Sequence, residues 1–163
     1  MNNHTFIESL PFGRALAILA KTYFGALTKR LEHLEIERHY SILIFIEGST
    51  GGCTQQCICD CLKIDKVSMV GRLDYLIKKK YIKKSVNPDD RREHFIELTS
   101  KAKAVLPVIH EAIDSLNKEA FKGLSKEQQK ELYRCMHLVQ SNLEPLPSQK
   151  IYINYKKAKK GKA

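Results

Sequence analysis

The segment from residue 54 to residue 98 constrains the fold most, because it sets out four short elements in a fixed order. Thr54 is placed to cap a short helix, and Asp65 is placed to cap a second, longer one. Two short extended segments follow at residues 81–86 and 94–98, and the Asn-Pro-Asp-Asp sequence between them is turn chemistry. The order predicts a helix-turn-helix followed by a β-hairpin.

Helical patterns flank this segment on both sides. Apolar residues recur at helical spacing from Leu10 to Leu31, after Thr99, and after Ser125, where Ser-Lys-Glu-Gln is a capping-box start. Pro107 lies inside the second of these helices and removes one backbone hydrogen bond, which predicts a kink. A further helix is expected at about 36–47, although its run of five apolar residues would suit a buried strand equally well.

The predicted fold class is therefore mainly α with a small β-hairpin wing, a winged helix-turn-helix with N- and C-terminal dimerisation helices. We expect one domain over residues 1–148, with the helix-turn-helix at about 54–79 and the wing at about 81–98. Residues 149–163 form a basic tail. The chain shows no run of about 18 apolar residues and no secretion signal at its N-terminus, so we expect a cytoplasmic protein without membrane contact.

Positive charge is concentrated in two places. The chain carries a net charge of +10, and residues 63–103 hold twelve Lys and Arg against six Asp and Glu. Residues 149–163 add six lysines and no acid. A solvated basic face would explain such a pattern, but its confinement to the predicted hairpin region and one tail favours a polyanionic partner.

A winged helix-turn-helix presents the start of its second helix to the major groove of DNA, while the hairpin reaches beside it towards phosphates and the minor groove. The candidate contacts are therefore the residues that open the two helices and the charged residues of the wing. They are Thr54, Gln55, Gln56, Asp65, Lys66, Val67, Ser68, Arg72, Lys83, Lys84, Asp90, Arg91 and Arg92.

Over roughly residues 10–144 this ordered set resembles the MarR family of bacterial regulators. The matching pieces are Thr54-Gln55-Gln56, Asp65-Lys66, Leu73-Asp74-Tyr75-Leu76, Asn87-Pro88-Asp89-Asp90-Arg91-Arg92 and Leu98-Thr99. The resemblance implies a homodimer whose terminal helices interlock and whose two lobes bind a palindromic DNA site. It also implies that Arg92 enters the minor groove, that Asp90 braces the wing, and that a small aromatic or anionic effector releases a repressor from its operator.

The recognition helix departs from the family pattern. Many relatives carry Ser or Thr followed by Arg where this chain has Val70-Gly71, and Arg72 comes one place later. One residue rotates a side chain by about 100° around a helix, so Arg72 is not assumed to read bases. Lys80 stands at the helix-to-wing corner where a glycine is usual, and a left-handed conformation there would be strained.

Four cysteines, Cys53, Cys57, Cys59 and Cys61, fall within nine residues. Their spacing is not that of paired zinc knuckles, and the histidines are scattered along the chain, so we expect no metal and no cofactor. We interpret the cysteines as small packing residues in a reducing compartment. A thiol-based redox switch using Cys57 and Cys61 is the alternative.

The sequence does not indicate an enzyme, because it has no phosphate-binding Gly-rich loop, no His-Glu-x-x-His motif and no nucleophile elbow. We expect a DNA-binding regulator rather than an enzyme. The competing class is a winged-helix module that binds another protein and has lost specific DNA binding. The basic wing argues against that class, and the Val70-Gly71 departure argues for it.

Overall fold

The structure is a computed structural model that describes residues 9–50, 52–86 and 93–149. Its elements are α1 (Phe12–Arg30), α2 (Tyr40–Gly48), α3 (Gln55–Leu62), α4 (Lys66–Lys78), β1 (Ile82–Val86), β2 (His94–Leu98), α5 (Ser100–Ala120) and α6 (Lys126–Leu143). The predicted class, mainly helical with one two-stranded antiparallel hairpin, is confirmed. The chain forms two compact units, of which the first ends at Ile113 and the second begins at Asp114.

The second helix starts later than expected. It begins at Tyr40 rather than near Ile36, because Glu37 takes a left-handed conformation with φ of 49° that no α-helix continues through. Ile36 is nevertheless fully buried, so the turn before the helix contributes to the core. The apolar run that would have suited a strand lies wholly within α2.

The core of the first unit draws on every helix and on the hairpin. Its largest fully buried side chains are Leu27, Leu31, Ile36, Ile42, Leu43, Ile58, Met69, Leu73, Leu76, Ile82, Leu106 and Ile109. They recur at helical spacing within α4 and α5, which gives each of these helices one apolar face against the core. This packing fixes the helix-turn-helix as a rigid support.

Both helix starts in the helix-turn-helix have the predicted side-chain caps. The Cys57 N–H donates to Thr54 Oγ1 at 3.2 Å, and the Ser68 N–H donates to Asp65 Oδ1 at 2.8 Å. Lys63 separates the helices in a left-handed conformation with φ of 50°. These local signals determine where α3 ends and α4 begins.

The hairpin is joined to the start of α3. The Ile96 N–H donates to the Cys53 carbonyl at 2.7 Å, and Thr54 pairs with Phe95 as an isolated β-bridge. The Phe95 ring lies so close to Gly52 that a Cβ there would meet it at 2.7 Å, and φ at Gly52 is 98°. Glycine is thus required for the wing to pack against this loop.

Lys80 adopts a left-handed conformation at the corner between α4 and β1, with φ of 60°. Its carbonyl accepts a hydrogen bond from Thr99 Oγ1 at 2.7 Å, and the Lys101 ammonium donates to the Lys79 carbonyl at 3.0 Å. For a residue with a Cβ, this conformation costs roughly 1–2 kcal/mol of conformational free energy. The corner is therefore held by contacts from the segment that follows the wing.

The two long C-terminal helices have the predicted starts. α5 follows Thr99, whose Oγ1 accepts from the Ala102 N–H at 3.3 Å, and it runs through Pro107 as one helix. Ser125 and Gln128 form the predicted capping box at the start of α6. No residue of α6 is buried, and most of its apolar side chains are exposed.

Candidate nucleic-acid interface

Thr54 and Gln56, at the start of α3, differ in their exposure to solvent. Thr54 is half-buried, because its hydroxyl caps the helix and its backbone pairs with the wing. Gln56 is exposed, and its Nε2 donates to Asp60 Oδ1 at 2.7 Å one turn along the same helix. Gln55 is half-buried between them. The amide of Gln56 can exchange this exposed intrahelical bond for a phosphate oxygen at little cost.

The start of α4 combines a fixed carboxylate with exposed neighbours. Hydrogen bonds from the Ser68 hydroxyl and backbone N–H hold the pKa of Asp65 below its ordinary value, so this carboxylate stays charged. Lys66 and Val67 are exposed, and Ser68 is half-buried. Asp65 therefore orients the first turn of α4, while Lys66 and Val67 are free to contact a ligand.

Arg72 lies on a different side of α4 from Val67 and Val70. It is partly buried; this burial, and then the nearby charge of Arg38, lowers the pKa of its guanidinium. One turn further along, the Tyr75 hydroxyl donates to the Glu35 carbonyl at 3.0 Å. The side of α4 that carries Arg72 and Tyr75 thus packs against the turn before α2.

The two wing lysines face opposite sides of the hairpin. Lys83 pairs with Glu97 and Lys84 pairs with Ile96 in the antiparallel register. Lys83 Nζ lies 2.9 Å from Glu97 Oε2, and the Ser85 hydroxyl donates to the same carboxylate. The hydrogen bonds from Ser85 and Lys83 lower the pKa of Glu97. Lys83 therefore has a protein partner on the side of the wing that Glu97 occupies.

Lys84 instead lines a cleft of about 290 Å³ between the wing and the starts of both helices. The other lining residues are Thr54, Gln55, Gln56, Lys66, Glu93, His94 and Ile96. Five of the predicted contact residues thus meet at one place although they are up to 30 positions apart in sequence. Sequence reasoning missed Glu93, His94 and Glu97. Strand alternation, applied to both strands, would have separated the faces of Lys83 and Lys84.

Asp90, Arg91 and Arg92, the predicted tip of the wing, lie outside the described residues, as does the tail from residue 150 onward. Their predicted roles remain predictions.

The cysteines divide as their helical spacing predicts. Cys53 and Cys59 are buried, whereas Cys57 and Cys61 are exposed on α3, and all are free thiols. Desolvation, followed by the neighbouring Cys61, raises the pKa of Cys57. Burial also raises the pKa of Cys53 and Cys59. A raised pKa reduces the thiolate population at neutral pH, which disfavours redox chemistry at Cys53, Cys57 and Cys59.

Within residues 9–50, 52–86 and 93–149, no three His, Cys, Asp or Glu side chains are grouped so that they could hold a metal ion. In the same ranges, no helix is long and apolar enough to cross a membrane.

A sequence model of the MarR family matches residues 36–93, which include α2, the helix-turn-helix and the first strand of the wing. Solved structures share the fold. One is a MarR transcriptional regulator from Methanosarcina mazei, at 22% identity and a TM-score of 0.73, covering 80% of this chain and 94% of that one.

Two similar structures contain DNA. A putative MarR family regulator from Listeria monocytogenes, complexed with a 26mer DNA, matches at 21% identity and a TM-score of 0.72, covering 80% of this chain and 87% of that one. A mutant MarR from E. coli, complexed with operator DNA, matches at 24% identity and a TM-score of 0.74, covering 82% and 96%.

Proposed function

We propose that the chain is a winged-helix transcriptional regulator of the MarR family that binds duplex DNA. The observation that carries the proposal is the convergence of Gln55, Gln56, Lys66 and Lys84 on one cleft beside the exposed start of α4. Two amides and two ammonium groups there suit phosphate oxygens. We also propose that this regulator acts in the bacterial cytoplasm, where its DNA is found.

We propose that the functional form is a homodimer on a palindromic operator. In the first unit, α1 exposes Phe12, Leu16 and Leu19. In the second unit, α6 exposes Leu132 and Met136 among other apolar residues. A second copy of the chain would cover these surfaces, and a two-fold dimer would present two copies of α4 about 34–36 Å apart to successive major grooves.

We propose repression relieved by a small aromatic or anionic effector as the regulatory mode. Arg38 and Arg72 lie close enough for their charges to act on each other and on His39. Two like charges held together in a partly buried place favour an anion between them. A benzoate titration that weakens operator binding in the native protein, and weakens it less in Arg38→Gln, would support this mode. Equal responses would contradict it.

DNA binding is tested with the intergenic DNA upstream of the protein's own gene, using fluorescence anisotropy across a salt series. Each neutralised phosphate contributes about −0.9 to the slope of log affinity against log salt, so a dimer should give a slope steeper than about −4. Absence of binding to any duplex at low salt would favour the protein-interaction module instead.

The predicted roles of the wing and of the tail are tested on the same fragment. We expect Arg92→Ala to weaken specific binding by roughly 1–3 kcal/mol, as the loss of a charged groove contact does. Truncation after Gln149 should weaken binding to all sequences alike, because a lysine-rich tail recognises charge alone. The opposite ranking would contradict the assignment of sequence reading to the wing.

The redox alternative is tested by treating the protein with hydrogen peroxide. We expect unchanged DNA affinity, because the thiols of Cys53, Cys57 and Cys59 have raised pKa values. Loss of binding that dithiothreitol reverses, and that Cys57→Ser or Cys61→Ser abolishes, would make the protein an oxidation sensor.

A further inference from the structure

The N-terminal part of one side of α4 is apolar and exposed. Val67, Val70 and Gly71 share this side of the helix because residues three and four positions apart are neighbours on a helix surface. Val67 is 84% exposed and Val70 is 44% exposed. A Cβ added at Gly71 would have nothing within 4 Å, so the helix backbone is open to an approaching ligand there.

The other sides of α4 have partners within the protein. Met69, Leu73 and Leu76 are fully buried in the core. Arg72 and Tyr75 lie on the side that packs against the turn before α2. The strip of Val67, Val70 and Gly71, which the exposed Asp74 and Lys78 continue towards the end of the helix, is therefore the side of α4 left for a ligand.

The strip continues directly into the cleft that we assign to DNA. Lys66, which precedes Val67, lines that cleft together with Lys84 and the start of α3. A duplex whose phosphates lie in the cleft would bring the edges of its bases against the exposed side of α4, since the first turns of a recognition helix enter the major groove.

We propose that Val67 and Val70 recognise thymine methyl groups, so that the half-site read by α4 is rich in A·T pairs. This inference rests on the proposed DNA-binding function. A valine side chain has no donor or acceptor for the hydrogen bonds that distinguish base edges. The C5-methyl of thymine is the apolar group that the major groove displays, and apolar side chains pack against it. Gly71 allows the helix to approach the base edges closely.

The absence of an arginine from the strip points the same way. Arginine at the groove-facing side of a recognition helix commonly binds the O6 and N7 atoms of guanine. In this chain the nearest arginine, Arg72, lies on a different side of α4, where it is partly buried and near enough to Arg38 and His39 for their charges to interact. Guanine therefore has no arginine partner at Val67, Val70 or Gly71.

The first experiment selects duplexes from a random-sequence library with the full-length protein. We expect the enriched half-sites to contain thymine at fixed positions. Each such thymine is then replaced by deoxyuridine, which keeps the hydrogen-bonding groups of the base and removes only the methyl. Loss of one buried methyl should weaken binding about fourfold.

Variants assign the effect to the two valines. The Val67→Ala/Val70→Ala double variant should bind the thymine and deoxyuridine duplexes with affinities within about twofold of each other. Val108→Ala removes a valine of α5 that is 38% exposed and serves as the matched control. It should keep the full sensitivity to deoxyuridine.

The outcomes separate this inference from the proposed function. Salt-sensitive binding without thymine enrichment, or without any effect of deoxyuridine, would overturn the inference and leave the DNA-binding function standing. An effect of deoxyuridine that persists in the double variant would also overturn it. Failure to bind any duplex at low salt would overturn the function itself.

Discussion

Two helices of this protein, α4 and α6, start alike and pack differently. Each is amphipathic, and each begins at a side chain that caps its first turn, Asp65 for α4 and Ser125 for α6. In α4, Met69, Leu73 and Leu76 are completely buried. In α6 no residue is buried, although its apolar residues recur at helical spacing.

The difference shows that an amphipathic pattern predicts a helix and a buried side but does not name the partner. For α4 the partner is the protein's own core. For α6 the stripe that contains Leu132 and Met136 is exposed in the single chain, and a second copy is the partner we propose. Substitutions in the two helices should therefore respond differently to protein concentration.

The largest expected effect is in α4. Leu73→Ala removes a fully buried side chain and should lower the free energy of unfolding by about 2–5 kcal/mol. Urea denaturation followed by circular dichroism measures the change. If the protein loses less than about 1 kcal/mol, the apolar side of α4 is not the core contact described above.

A charged substitution on the apolar side of α6 should weaken the proposed dimer. Met136 is 52% exposed in the single chain, so Met136→Lys should leave the protomer folded and weaken the dimer by at least about thirtyfold through an unpaired charge at the interface. Ser141→Lys, on the opposite side of α6, is the control. Sedimentation at several concentrations measures the dimer dissociation constant of each variant. Equal dissociation constants would contradict the proposal that α6 packs against a second copy.

The next prediction concerns the polar side of α4, where the Tyr75 ring packs against His39. The two ring centroids lie 5.2 Å apart. Burial, then the charges of Arg72 and Arg38, lowers the pKa of His39 to about 4. The neutral ring is thus the native form. Its contribution to stability is complete above the unfolded pKa of about 6.5 and falls as the pH drops from there towards 4, where the folded protein also becomes protonated.

We expect this group to account for about 2 kcal/mol of stability lost over that range, since the ring remains partly in contact with water. His39→Phe keeps an aromatic ring beside Tyr75 and removes the titration. The difference in unfolding free energy between the native protein and His39→Phe should therefore change with pH in this range. A constant difference would show that the ring titrates as it does in the unfolded chain.

Much of the fold was predictable because its signals are local. The caps at Thr54, Asp65 and Ser125 each depend on a few neighbouring residues, and all three are confirmed. The start of α2 was placed wrongly, since the left-handed Glu37 has no local sequence signal.

The candidate site was less predictable than the fold. Choosing residues at the starts of helices identified most of the cleft, but Lys83 and Lys84 were treated as equivalent. Their separation depends on the register with β2, where Glu97 pairs with Lys83. The partial burial of Arg72 and its closeness to Arg38 depend on the turn before α2, which is distant in sequence. Both features depend on tertiary contacts, which the periodicity of a single helix or strand does not predict.

The smallest expected effect separates stability from recognition within α4 itself. Gly71→Ala fills open space, because a Cβ there meets nothing within 4 Å, and it should raise the free energy of unfolding by roughly 0.5–1 kcal/mol by removing the entropy that glycine loses in a helix. Gly25→Ala in α1 has equally open surroundings and should stabilise by a similar amount. Only the alanine at position 71 stands on the strip that we assign to the major groove, so only that variant should change the preferred DNA sequence in a repeated selection. If both variants stabilise the protein and neither alters the selected sequence, α4 approaches the bases by a side other than the one that carries Val67 and Val70.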